Sequence, residues 1–436
     1  MDRRAFMKAL GLGVGAMAYP GYGWSQPVGY NGPLFVHIAA IGGWDTTLFC
    51  DPKGRLNAAE ANPINRTYNQ GDIQSPAMPS PITWAPTDDS VQLPAGSVAN
   101  EAFFNRHYQQ LLVLNGIDLA TVNHATGTLA MGSGFGDGSA PAIGALLAAT
   151  RAPDLGLTFW DAGGFSRTNA HVARTRVSRS DRLAFLTTPN QYPAQHRNDL
   201  LYQPERDFDR AMAVVRRRAQ RRAEASRLPR LRQGLRDFAR SHQPGQGLDV
   251  LRDFLPPQDV LDNVQHDMTR QIILGAASYQ AGLTCAMAVA GPGLFDTHDD
   301  NDNLATQWLG QFLGAVDEAW GYIVDAGLAD RTIFYLTSDL GRTPTYNPGD
   351  GKDHWSVTSA MMMGAGIQGN RVIGASTHDQ LPRLIDPRTL EVTDDVNVGV
   401  RLTPMHIHAE LRHLLGIADG PLSGQYDLQT PRLGII

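Results

Sequence analysis

Short, uninterrupted apolar runs recur along the chain, each closed by glycine or polar residues: PLFVHIAAI (33–41), LLVLNGI (111–117), LTFWD (157–161), TCAMAVA (284–290) and TIFYLT (332–337). Runs of this length with no polar alternation predict strands buried on both faces, as in a parallel sheet. Helical periodicity fills the intervals. Residues 126–150 predict two short helices broken near Gly134, Phe135 and Gly136, and residues 258–280 and 301–326 space apolar positions three and four apart. Strand and helix in alternation predict an α/β fold: a three-layer, doubly wound, mostly parallel sheet covered on both sides. Two stretches break the alternation. Residues 52–100 hold seven prolines among many Asn, Asp and Ser, which predicts a loop insertion outside the core. Residues 204–242 predict a helical insertion, with Phe208, Met212, Val215 and Ala219, then Leu231, Leu235 and Phe238 beyond Pro229, on a helical stripe.

Composition narrows the classes. With 436 residues, 42% hydrophobic and 18% charged, the chain is neither disordered nor a coiled coil. A net charge of −6 lacks the basic bias of a nucleic-acid binder, so no nucleic-acid partner is expected. The charge is uneven: between 205 and 240 twelve arginines face five acids, a net +7. Such an insertion suits an acidic protein, an anionic surface or, more simply, a solvated hairpin lying on an acidic body. Two cysteines, Cys50 and Cys285, are too few for a disulfide framework or a thiolate metal site, so any metal falls to His, Asp or Glu.

The N-terminus carries Arg3, Arg4, Phe6 and Lys8 ahead of an apolar, glycine-rich run over residues 9–19. That run is too short for the roughly 20 residues of a bilayer span. The pattern resembles a twin-arginine export signal over residues 1–26, with Asp2 where Ser or Thr is usual. The expectation is a single domain over residues 27–436, periplasmic or secreted, with no transmembrane segment after signal removal. A Cys50–Cys285 disulfide becomes feasible in that compartment.

Candidate chemistry clusters where strands end: Asp45 after the first; Asp296 and His298 in FDTHDD (295–300); Asp339 and Arg342 in TSDLGR (337–342); and His354 in GKDH (351–354). Ligands of open α/β sheets bind at the carboxyl ends of strands, so these loops are expected to converge. Carboxylate and imidazole together suit zinc or another divalent ion. Other histidines carry less. His37 lies inside a strand, His406 and His408 point to different faces of a helix, and His171, His196, His242, His266 and His378 lack context. No Gly-x-Ser-x-Gly elbow supports a serine triad.

The GGWD opening after the first strand, the FDTH segment, the SDLGRTP loop and the GKDHW loop resemble the bacterial family called domain of unknown function 1501, placed in the alkaline phosphatase and sulfatase superfamily. The resemblance runs from about residue 33 to 417 and is strongest over 295–374. It implies an alkaline-phosphatase-like fold with divalent metal at the carboxyl edge, held by Asp45, Asp296, His298, Asp339 and His354. Zinc comes first, with manganese, calcium or magnesium as alternatives. The chain departs from the superfamily pattern at three points, the first being that His298 follows Asp296 by two residues instead of four. Leu340 stands where a metal-binding His follows the Asp, and His124, in NHATG (123–127), stands at the nucleophile position. Three readings stay open: His124 replaces the missing imidazole beside Asp45 and Asp339; Thr126 supplies a hydroxyl nucleophile in a shifted register; or hydrolysis has been lost. Under the first, a divalent ion lowers the pKa of bound water from 15.7 toward about 7. Arg342 then grips a tetrahedral anion, with Lys352 or Asn123 adding a donor. The resemblance thus implies an exported metal-dependent hydrolase of small anionic phosphate or sulfate esters. The alternative is an inactive binding or assembly protein on the same fold.

Overall fold

A computed structural model describes residues 30–176, 187, 190, 200–242 and 248–436; the expected export signal over residues 1–26 and His196 lie outside the described residues. All five apolar runs are strands of one eight-stranded sheet: β1 (Leu34–Ala40), β2 (Leu112–Asp118), β3 (Phe159–Ala162), β5 (Ala286–Ala290) and β6 (Thr332–Ser338), with the two-residue β4 (Arg174–Thr175) after β3. After β6 comes the hairpin β7 (Gly341–Tyr346) and β8 (Lys352–Trp355), then β9 (Val357–Gly364) and β10 (Arg371–Ile373). The sheet order is β10-β2-β9-β6-β1-β5-β3-β4. β1 is parallel to both neighbours, Val36 lying opposite Met287 and Phe334. β9 runs antiparallel to β2 and β6. It was not expected from the sequence, although VTSAMMM is as apolar and as buried as the other runs.

The helices are α1 (Asn100–His107), α2 (His124–Ser133), α3 (Ile143–Arg151), α4 (Glu205–Ala225), α5 (Pro229–Ser241), α6 (Gln258–Asp262), α7 (Asp267–Gln280), α8 (Asn301–Asp325), α9 (Pro404–Leu414) and α10 (Pro421–Gln425). Gly144 of α3 faces Ala286, whereas Gly275 of α7 faces Met287. Adjacent strand residues point to opposite faces, so the two helices cover opposite sides and the molecule has three layers. His408 of α9 reaches the Met131 carbonyl of α2 at 3.0 Å on the α3 side, and Trp320 of α8 meets Phe334 on the other.

Two expectations change. Residues 52–100 form little regular structure yet are not outside the core: Tyr68, Ile82, Trp84 and Asn65 are buried, and Trp84 stacks on Phe104 of α1 at 5.3 Å. An irregular segment can enter the interior because its polar groups are paired there. The two cysteines do not pair. Both are free and buried, Cys50 beside Asn115 and Cys285 beside Thr158. The basic insertion is the helical pair α4 and α5, whose buried positions are small: Ala219, Ala223 and Ala239.

Candidate metal centre

The carboxyl edge of β1 exits through Gly42 and Gly43, both at positive φ (108° and 84°). A Cβ on Gly42 would lie 2.5 Å from the Asp296 amide nitrogen, so glycine lets β1 pass directly against the loop after β5. α2 approaches the same edge. Asn123 caps it, accepting from the Thr126 amide at 3.1 Å, and a Cβ on Gly127 would fall 1.8 Å from the Asp339 carbonyl oxygen. This close seat places His124, the first residue of the helix, beside the end of β6.

Four predicted residues meet there. The Nε2 atoms of His124, His298 and His354 lie 3.4, 3.0 and 3.1 Å from one oxygen, Asp296 Oδ1. His298 and His354 also face each other through Nε2 at 3.0 Å. Each outer nitrogen is held from behind at 2.9 Å: Nδ1 of His124 on Asp339, of His298 on Asp353 and of His354 on the Val122 carbonyl. A carbonyl has no proton to give, so His354 carries its proton on Nδ1 and presents a lone pair at Nε2. The carboxylates impose the same tautomer on the other two rings.

The donor set fits a cation. Arg342 also donates to Asp296 Oδ1, at 2.8 Å, so four nitrogens crowd one oxygen that has two lone pairs. His124 Nε2 is buried without a hydrogen-bond partner. His124, Asp296 and His354 place ligand atoms within 4.8 Å of one another. Corners about 2.05 Å from a tetrahedral zinc ion are about 3.3 Å apart, the scale of the separations found here. Rings backed by carboxylate or carbonyl are the usual arrangement of metal-binding histidines. Burial alone would raise the Asp296 pKa, but the Arg342 guanidinium, through its hydrogen bond and its charge, outweighs it and holds the carboxyl at about 2.

The remaining predicted residues have other partners. Asp45 stands apart from the cluster: its oxygens accept from Thr47 N (3.0 Å), Thr47 Oγ1 (2.6 Å), Asn301 Nδ2 (3.1 Å) and Lys352 Nζ (2.7 Å), with both ion-pair side chains fully buried. These four donors saturate the carboxylate, so it is no ligand. Asp339 is a backing residue, accepting from Gly42 N at 2.9 Å through its other oxygen. Arg342 is fully buried and spends its donors on Gly42, Gly43 and Lys352 carbonyls besides Asp296, so it clamps the loops and faces no substrate. Lys352 is likewise committed, to Asp45 and Asn65. Thr126 Oγ1 lies 3.5 Å from the Asn123 side chain, and both belong to the helix cap.

Sequence reasoning missed Asp353 as the support of His298; its adjacency to His354 was the available signal. It also missed the Val122 carbonyl, for which no sequence signal exists. His37, expected to pack in its strand, does so, stacking on Tyr335 at 4.9 Å. Beyond Asp339 a cavity of about 80 Å³ opens between β1, β6 and α2, lined by His37, Ile41, Met131, Phe165 and Thr337 among others. Among the described residues, no helix is long and apolar enough to cross a membrane.

No curated protein matches this sequence. Solved structures to which the chain is similar include the PsFucS1 sulfatase from Pseudoalteromonas sp. (8% identity, TM-score 0.36, covering 89% of this chain and 68% of that one). Others are the alkaline phosphatase from the Antarctic bacterium TAB5 (10%, 0.34, 78% and 94%) and the lipoteichoic acid synthase LtaP from Listeria monocytogenes (9%, 0.35, 96% and 79%). Identities of 8–10% leave the chemistry to be argued from the residues themselves. A family match described as Protein of unknown function (DUF1501) spans residues 34–427, nearly the entire described chain, and the chain belongs to that family.

Proposed function

We propose that the chain is an exported, metal-dependent hydrolase of phosphate or sulfate esters, with a divalent cation, zinc foremost, held by His124, Asp296 and His354. The observation that carries the metal is the convergence of three Nε2 atoms on Asp296 Oδ1 with every outer nitrogen anchored. Three protein ligands leave a fourth position open, the pattern of catalytic rather than structural zinc sites. The ion's chemistry there is Lewis-acid polarisation of the ester and activation of water. The chain's own residues do the rest. Asp339 and the Val122 carbonyl fix the tautomers of His124 and His354. Arg342 keeps Asp296 ionised and aimed inward. His298, about two-fifths exposed and backed by Asp353, is an imidazole oriented by a carboxylate, the arrangement that moves protons in acyl and phosphoryl chemistry. The cavity past Asp339 suits a small apolar group of the substrate. The ester class rests on the SDLGRTP and GKDH resemblance, and export on the twin-arginine pattern.

A second reading has its own support. His298 lies 3.0 Å from both Asp296 and His354, close enough to act as a fourth ligand and close the site, as in a structural centre of a binding or assembly protein. Elemental analysis of protein purified without chelators, with release of p-nitrophenol from phosphate and sulfate esters, separates the two. The hydrolase requires bound metal, turnover, and a His298→Gln variant that keeps metal while losing turnover. Metal lost from His298→Gln, with no turnover in the parent, selects the structural reading. Absence of tightly bound metal in the parent refutes both.

A further inference from the structure

The helical pair α4 and α5 is not used by the metal centre, and its surface is unusual in two ways at once. First, its positive charge is poorly compensated. Arg210 lies 3.9 Å from Asp207 and Arg216 donates to the His242 carbonyl, but Arg217, Arg218, Arg221 and Arg222 have no ion-pair or hydrogen-bond partner among the described residues. Four neighbouring guanidinium groups repel one another, a cost relieved only by external anions. Second, apolar side chains stand among the arginines in solvent. Val214 is 48% exposed between Arg210 and Arg217 on the α4 face, and Leu228, just before α5, and Leu231, at 65% and 44%, begin a stripe continued at helical spacing along α5 by the half-buried Leu235 and by the exposed Phe238. A purely solvated hairpin has no use for that stripe. An acidic protein or polymer would answer the charge and leave the leucines wet.

We propose that this hairpin docks on an anionic phospholipid surface, α4 and α5 lying in the headgroup layer. Helices of low overall hydrophobicity, rich in arginine and carrying Leu and Phe on one face, bind membranes in that orientation. Guanidinium groups pair bidentately with lipid phosphates, their methylene stems run along the apolar boundary, and the leucines enter it. The association goes beyond the hydrolase reading and is independent of it. It would hold at a lipid boundary a protein in which, among the described residues, no helix is long and apolar enough to cross a membrane.

The test is co-sedimentation of the full mature chain with vesicles of phosphatidylcholine alone and of phosphatidylcholine mixed equally with phosphatidylglycerol. Binding is expected to the mixed vesicles, to fall as salt shortens the screening length, and to be weak on the neutral ones. A basic residue near an anionic surface contributes about 1 kcal/mol, about fivefold in affinity. The variant Arg217→Gln/Arg218→Gln/Arg221→Gln/Arg222→Gln should therefore lose two to three orders of magnitude. Leu228→Ser/Leu231→Ser should lose about tenfold or more with all charges kept. Equal sedimentation with neutral and anionic vesicles, or none with either, overturns the proposal. So does a leucine variant that binds as well as the parent, the outcome expected of an acidic-polymer surface. Unchanged circular dichroism and metal content establish that the variants are folded; should either not fold, the vesicle and salt comparison on the parent chain still decides.

Discussion

Replacing Lys352 with Met removes the cation that faces the buried carboxylate of Asp45, a contact of 2.7 Å between two side chains with no solvent exposure. Methionine fills similar space, so the change leaves an uncompensated charge rather than a hole. Breaking a buried pair from one side costs about 3–5 kcal/mol, against a total of about 5–15 for a folded domain. Asp45→Asn strands the Lys352 ammonium and should cost a similar amount, although the Thr47 hydrogen bonds to the retained oxygen soften it. The double variant leaves neither charge alone, so its cost should fall short of the sum by about 2–3 kcal/mol. Urea unfolding followed by tryptophan fluorescence measures all four proteins, and elemental analysis runs in parallel. Because Asp45 is saturated by protein donors, metal content should match the parent wherever the protein is folded. Additive single effects, or folded Asp45→Asn that has lost its metal, would refute the assignment of Asp45 to Lys352.

Three further outcomes follow from the geometry. Asp339→Ala removes the acceptor behind His124 and should weaken metal binding about 10–100-fold in a chelator competition, whereas His124→Ala should abolish it; equal losses would make Asp339 a ligand after all. Burial holds His37 at about 4 and His408 at about 3, so between roughly pH 4 and 6.5 the unfolded chain binds two protons that the native state refuses. Stability should therefore rise with pH in that window by about 2.7 kcal/mol per unit, and His408→Gln, which keeps a donor for the Met131 carbonyl, should halve the slope. Burial raises both thiols, Cys285 to about 12, so neither cysteine should react with iodoacetamide before unfolding, and reductant should not shift the melting temperature.

What could be read from the chain alone follows from which signals are local. Strands buried on both faces announce themselves as apolar runs, and the hinge at Gly134 separates two helices visibly. Strand direction leaves no such mark, which is why β9 and its reversal went unforeseen. At the site, motif spacing named His124, Asp296, His298 and His354, the residues that meet. It misassigned Asp45 and Asp339, because an aspartate after a strand looks alike whether it faces an ion, a lysine or the back of an imidazole. That difference is fixed by partners 307 and 215 positions away in sequence. Arg342 was misread for the same reason: its burial comes from carbonyls on the β1 exit.

The antiparallel insertion of β9 has a consequence for how the molecule matures. β6 rises to the carboxyl edge, the β7–β8 hairpin delivers His354 there, and β9 descends between β2 and β6. His124 and His354 are thus 230 positions apart, about half the chain, and the strand that locks them on one rim is the next to last of the eight-stranded sheet to leave the ribosome. A nascent polypeptide lacking residues 357–364 lacks the strand that joins β2 to β6, so under the metal-centre reading proposed above, ion capture would await a chain folded through β9.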